Sequence, residues 1–146
     1  MSDPVPHKDL TKEEVVDLLR ARGITPTQQR VDIARILFAR PQHLSADQVL
    51  AAVNAERAHV SKATVYNTLG LFARKRLVRE VIVDPSRVFY DSNTRPHHHF
   101  YNVDRHTLTD VDEQMVSIET LPTPPADTEL DGVDVIIRVR DRQPGR

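Results

Sequence analysis

The chain has 146 residues, 39% of them hydrophobic, with no cysteine and a formal net charge of -1. That length allows one ordinary domain or two small ones with a modest core, and the missing thiols exclude disulfides and any cysteine-based structural zinc, so a metal must rest on imidazole, carboxylate or backbone oxygen. No apolar run approaches the ~20 residues of a membrane span and the N-terminus lacks the apolar core of a secretory signal, so a cytoplasmic protein with no membrane partner is expected.

The small net charge conceals a division. Residues 1–90 hold 14 Lys and Arg against 10 Asp and Glu, or +4, and residues 91–146 hold 6 against 11, or -5. A basic half joined to an acidic half suits a first part facing a polyanion and a second facing a cation or another protein, although +4 also describes an ordinary solvated surface.

Residues 1–9 read as a lead-in, with two prolines and mixed charge. Thr11 and Glu14 form a capping box, Val15, Leu18 and Leu19 follow at helical spacing, and Gly23 suits the stop, which predicts a first helix over 12–21. A second helix is predicted from Thr25 as cap, with Pro26 at the first helical position and Gln28 closing the box. Its apolar set is Val31, Ala34, Leu37 and Phe38, and Pro41 stops it near Arg40. His43 falls in a loop just before a third box, Ser45 to Gln48, whose helix buries Val49, Leu50 and Val53.

A fourth helix starts at Ser61 with Val65, Leu69 and Phe72 as its core stripe. Its opposite face carries Lys62, Tyr66 and Asn67, and Arg74, Lys75 and Arg76 crowd its end. Two apolar runs, 77–83 and 87–90, are separated by Asp84-Pro85-Ser86 and predict a hairpin. Helices followed by a hairpin are the order of a winged helix, in which one helix enters the major groove. In that reading Lys62 meets a phosphate or guanine edge, Tyr66 and the Ala63 methyl pack on thymine methyls, and Asn67 pairs with adenine. Thr64 suits a phosphate, as does Arg30 on the second helix. Taken singly, each of these residues is equally an ordinary surface side chain.

Arg95-Pro96-His97-His98-His99-Phe100-Tyr101 begins the acidic half. Along a strand, side chains alternate, so His97 and His99 face one way and His98 the other. That serves either a solvated strand edge or two imidazoles on one metal. Asp104-Arg105 reads as a turn, 106–111 as a second strand and 112–118 as a short helix. Val133, Val135, Ile137 and Val139 alternate with Asp134, Arg138 and Arg140 and predict a third strand, with Ile136 on the mostly polar face. Three small strands with a valine-rich edge invite pairing with a second chain, and a two-fold homodimer fits a palindromic double-stranded operator.

The stretch Ser61-Lys62-Ala63-Thr64-Val65-Tyr66-Asn67-Thr68-Leu69 resembles the recognition helix of the Fur family of metal-responsive repressors. Arg22-Gly23-Ile24-Thr25-Pro26-Thr27-Gln28-Gln29-Arg30, then His43-Leu44-Ser45-Ala46-Asp47, Tyr90-Asp91 and His97-x-His99 follow in that family's order. The resemblance implies an α+β chain, with a winged helix-turn-helix DNA-binding domain at 1–91 and a small α/β, metal-sensing dimerisation domain at 92–146. It places the regulatory metal on His43, Asp91, His97, His99 and Asp110, a set that suits Fe2+, Mn2+ or Zn2+. Aspartates at 91 and 110 resemble the peroxide-sensing PerR pattern, whereas the histidine triplet and the missing cysteines resemble the iron response regulator (Irr) branch. The latter implies haem against His97, His98 and His99, and genes of iron, haem or peroxide stress as targets. Two rivals stand beside this reading. One is a metal-dependent hydrolase using His97, His99, Asp104 and His106, and the other is a metal or haem carrier without DNA function.

Overall fold

The computed structural model describes residues 10–39, 42–55, 59–84, 86–95 and 97–144. The lead-in at 1–9, the helix stop expected at Arg40 and Pro41, and Pro85 of the expected turn lie outside the described residues. The chain divides into two compact units, Met1–Thr94 and Arg95–Arg146.

The first unit opens with helix α1, Lys12–Ala21, held by the predicted box: the Thr11 hydroxyl accepts from Glu14 N at 3.1 Å and the Glu14 carboxylate accepts from Thr11 N at 3.2 Å. Gly23 then takes φ 71°, a left-handed conformation that costs glycine little. Helix α2, Gln28–Phe38, starts later than predicted, because Thr27 rather than Thr25 is the cap and its hydroxyl accepts from Arg30 N at 3.3 Å. Thr25 serves instead through its carbonyl, which accepts from the Arg30 guanidinium at 2.9 Å. Strand β1 is His43–Ser45, so His43 lies in a short strand and not in a loop. Helices α3, Ala46–Val53, and α4, Lys62–Arg74, follow, capped by Ser45 and Ser61.

Strands β2, Arg79–Asp84, and β3, Arg87–Asp91, form the hairpin. Asp84 accepts from the Ser86 amide at 2.8 Å to shape its turn. The sheet order is β1-β3-β2, all antiparallel, so β1 adds an edge to the wing. Val15, Leu19, Val31, Phe38, Val49, Val65, Leu69 and Phe72 are buried in one core, with Ile33 and Leu77 beside them. The predicted stripes of α1, α2 and α4 therefore meet, and each large side chain there contributes about 1.5–3 kcal/mol of burial. Ser45 caps α3 and Gln48 reaches back to its amide at 2.9 Å. Ser45→Ala is expected to lower stability by about 1 kcal/mol, read as an earlier urea midpoint; an unmoved midpoint would show that the cap contributes nothing.

In the second unit, β4, His98–Asn102, pairs antiparallel with β5, Thr107–Val111, and parallel with β6, Ile136–Val139. The central strand is β4. Asn102 makes the predicted turn by accepting from the amides of Asp104 and Arg105, and His106 takes φ 55° at its end. The helix expected over 112–118 is only a 3-10 turn, Glu113–Met115, with Asp112 as its cap. Pro122, Pro124 and Pro125 follow in a stretch without regular secondary structure. The third strand is shorter than the alternation of 133–140 predicted, since Val133 to Val135 precede it, although Val135 O accepts from His99 N at 3.1 Å.

Candidate metal centre and nucleic-acid face

On α4, the side opposite the buried Val65, Leu69 and Phe72 presents Lys62, Ala63, Tyr66 and Asn67 to solvent, with Tyr66 44% exposed. Thr64 is half-buried and receives the Ser61 hydroxyl at 2.9 Å, beside the amide of residue 64 that Ser61 caps. The exposed face therefore combines a cation, an aromatic ring and an amide. Arg30, also named from sequence, is half-buried and uses one guanidinium N-H to fasten the start of α2.

Sequence reasoning missed Asp47, in the first turn of α3. Its Oδ1 accepts from the Tyr66 hydroxyl at 3.2 Å and lies 4.0 Å from Lys62 Nζ. Lys62 Nζ in turn stands 5.6 Å from the centre of the Tyr66 ring. The spacing in sequence gave no signal for this contact, because it depends on how α3 packs against α4.

Two of the five expected metal ligands belong to the first unit. His43 on β1 and Asp91 on β3 are directly opposite each other in the register, so their side chains share a face, and His43 Nε2 lies 3.0 Å from Asp91 Oδ2. Asp91 is 3% exposed, and its Oδ1 accepts from Asn93 N at 2.9 Å. On the other side of β3 the register partner of Asp91 is Arg79. Burial lowers the Arg79 pKa from its ordinary value, and the Asp91 carboxylate works against that shift. The wing thus carries a row of imidazole, carboxylate and guanidinium across three strands.

The other three expected ligands, His97, His99 and Asp110, lie in the second unit, where the imidazole and carboxylate atoms they could offer fall within 4.8 Å of one another. Asp110 is the register partner of His99 across β4 and β5. Its Oδ1 lies 3.1 Å from His97 Nε2 and 3.4 Å from His99 Nε2. The His97 and His99 ring centres are 4.4 Å apart, and His99 is fully buried. His97 precedes the strand rather than lying in it, yet it joins His99 as the alternation expected.

Hydrogen bonds distinguish adjacent histidines. His97 Nδ1 lies 2.6 Å from the Arg95 carbonyl, which can only accept, so Nδ1 carries the proton. In neutral His97 the Nε2 lone pair then points at a carboxylate oxygen, an arrangement that calls for a cation: either a second proton on the ring or a metal ion. His98 is the reverse case. Its Nδ1 accepts from Val135 N at 3.0 Å, so in the neutral ring Nε2 carries the proton. In these tautomers His97 turns an Nε2 lone pair toward Asp110, whereas Nε2 of His98 carries its proton. Borderline nitrogen donors with hard carboxylate oxygens, already gathered by backbone register, fit a first-row divalent ion.

Comparison with known proteins gives a consistent result. The profile of the Ferric uptake regulator family matches residues 21–122. The chain is 36% identical over 87 residues to the peroxide-responsive repressor PerR of Staphylococcus aureus, covering 60% of this chain and 59% of that one. It is 33% identical over 99 residues to PerR of Staphylococcus epidermidis, covering 68% and 66%. Both matches span less than two thirds of the curated relatives' length. Among solved structures, the ferric uptake regulator of Pseudomonas aeruginosa with manganese aligns with a TM-score of 0.62 at 24% identity, over 87% of this chain and 97% of that one. The ferric uptake regulator of Francisella tularensis with iron aligns with a TM-score of 0.64 at 22% identity, over 82% and 93%. At those identities the two structures speak for the fold alone, and that fold is the α+β arrangement expected from sequence.

Proposed function

We propose that this chain, which belongs to the ferric uptake regulator family, is a homodimeric, sequence-specific DNA-binding repressor whose operator affinity is set by one divalent metal ion. The family is one of transcription regulators and not of enzymes, which removes the hydrolase reading built on His97, His99, Asp104 and His106. The observation that carries the metal proposal is His97, whose Nδ1-H is committed to a backbone carbonyl while its Nε2 faces Asp110 at 3.1 Å.

In this proposal His43 and Asp91 of the first unit and His97, His99 and Asp110 of the second hold Fe2+, Mn2+ or Zn2+ together. A bound ion would supply a positive centre to these five side chains. The residues do the rest. His43 rides on the edge strand next to α3, so restraining His43 restrains the element that contacts Tyr66 and Lys62 of the reading helix. Lys62, Thr64 and Arg30 would face phosphates, and Ala63, Tyr66 and Asn67 the base edges. The second unit would pair with its copy through the apolar side of its small sheet, where β6 is an edge strand and Val139 is 38% exposed. Among the described residues no helix is long and apolar enough to cross a membrane, and a cytoplasmic location is part of the proposal.

The signal proposed is peroxide acting on an iron-loaded site. Its support is the PerR relatives, together with aspartate at both carboxylate positions, 91 and 110. An Irr-like haem site on His97, His98 and His99 has less support, because His98 Nδ1 is occupied by the Val135 amide and the neutral ring then keeps its proton on Nε2. The test is fluorescence anisotropy on the gene's own upstream DNA. Operator affinity of the Mn2+ protein should exceed that of the chelator-treated protein by about 5- to 150-fold, the range of ordinary allosteric coupling. The Fe2+ form should lose affinity after peroxide, and haem should change little. Equal affinity in all of these states would overturn the proposal, and loss with haem alone would favour the Irr reading.

A further inference from the structure

We infer that Arg79 is the resident counter-cation of Asp91 and sets how much divalent metal is needed to load the site. The inference rests on the proposal that His43 and Asp91 are metal ligands.

Asp91 is almost fully buried, and a carboxylate taken out of water needs compensating charge or hydrogen bonds. Its surroundings supply three things. Asn93 N donates to Oδ1 at 2.9 Å, His43 Nε2 stands 3.0 Å from Oδ2, and Arg79 occupies the directly opposed position on β2. Directly opposed residues of an antiparallel pair point to the same face. His43 can be charged or neutral, whereas a guanidinium stays charged. Arg79 is also half-buried, so its field on Asp91 is less screened than that of a surface arginine.

The same field opposes a metal. Three neutral imidazoles and two carboxylates balance a divalent ion to zero, and Arg79 leaves the filled site with an excess positive charge. An incoming ion must also share a carboxylate that Arg79 already attracts. Both effects act in one direction. They raise the metal concentration at which the site fills, and the attraction between Arg79 and Asp91 also stabilises the metal-free wing. A regulator has use for that arrangement, because a site filled at every metal level would report nothing.

The experiment is a competition titration of Mn2+ with the full chain carrying Arg79→Gln, Arg79→Met or Arg79→Lys, alongside thermal melting with and without Mn2+. Arg79→Gln is expected to tighten Mn2+ binding by about five- to fiftyfold, the scale of one unit charge several ångströms away in a partly screened site. Its metal-free melting temperature should fall and the rise on adding Mn2+ should grow. Arg79→Met keeps the apolar stem and should behave alike if Gln prevents folding. Arg79→Lys keeps the charge and should stay within about threefold of the wild type. Unchanged or weaker Mn2+ binding in the Gln and Met variants would overturn the role of Arg79, as would a Lys variant that tightens as much as Gln. A wild type whose Mn2+ affinity is indifferent to His43→Ala would instead overturn the metal reading beneath it.

Discussion

His99→Ala should weaken Mn2+ binding on the order of 100-fold or more, while His98→Ala, one residue away on the same strand, should leave it within about threefold. The reason is position within the small sheet. His99 lies on β4, the middle strand of the sheet, fully buried, with Asp110 opposite on β5 and Ile136 opposite on β6. Removing its ring deletes a donor that the register aims at the Asp110 carboxylate and leaves His97 alone beside it on β4's side of that pair. His98 faces the other way and holds Val135 N. Its loss deprives one amide of an acceptor, at a cost to stability of about 1 kcal/mol, without touching the donor set. Because His99→Ala also opens a cavity, both variants should first be melted, and Mn2+ affinity compared only where the second unit remains folded. Equal Mn2+ affinity in the wild type and a folded His99→Ala protein would remove the second unit from the metal site. A collapse of affinity in His98→Ala would mean that the sheet aims its histidines differently from the hydrogen bonds at His97 and His98.

Much of the first unit was legible because its signals are local. A hydroxyl at the cap and a carboxylate or amide three residues on fix where α1 and α3 begin, and the stripe of α4 needs only helical periodicity. The shift in α2 shows where that logic fails. Thr25 and Thr27 are both competent caps, and the choice depends on the path from Gly23, which no short window contains. The strand at His43 was illegible for a related reason: three residues make a strand only when Phe89, Tyr90 and Asp91 lie alongside. The relation of Asp91 to Arg79 depends on register and that of Asp47 to Tyr66 on helix packing, so neither has a sequence signature. The separation of His98 from its neighbours was legible because strand periodicity alone dictates it. The opposite protonation of His97 and His98 was not, since it depends on Arg95 and Val135 presenting a carbonyl and an amide.

Asn67→Ala and Lys62→Ala should damage DNA binding in different ways, and the difference tests which part of α4 reads sequence. Both side chains are exposed on the same face of one helix. Asn67 has a paired donor and acceptor that match the adenine edge in the major groove, and such a pair discriminates by about 1–3 kcal/mol. Its loss should therefore reduce operator affinity by roughly 5- to 150-fold while leaving binding to random DNA nearly unchanged. Lys62 is a point charge. Its loss should weaken operator and random DNA together and flatten the dependence of log affinity on log salt by about 0.9, as expected for one phosphate contact. Asp47 modifies the second expectation. It lies 4.0 Å from Lys62 Nζ and accepts the Tyr66 hydroxyl, so part of the Lys62 charge is already balanced before DNA arrives, and a measured slope change somewhat below 0.9 is consistent with one contact. If instead Asn67→Ala weakened random and operator DNA equally, Asn67 would be a backbone contact, and sequence reading would have to be sought at Ala63 and Tyr66.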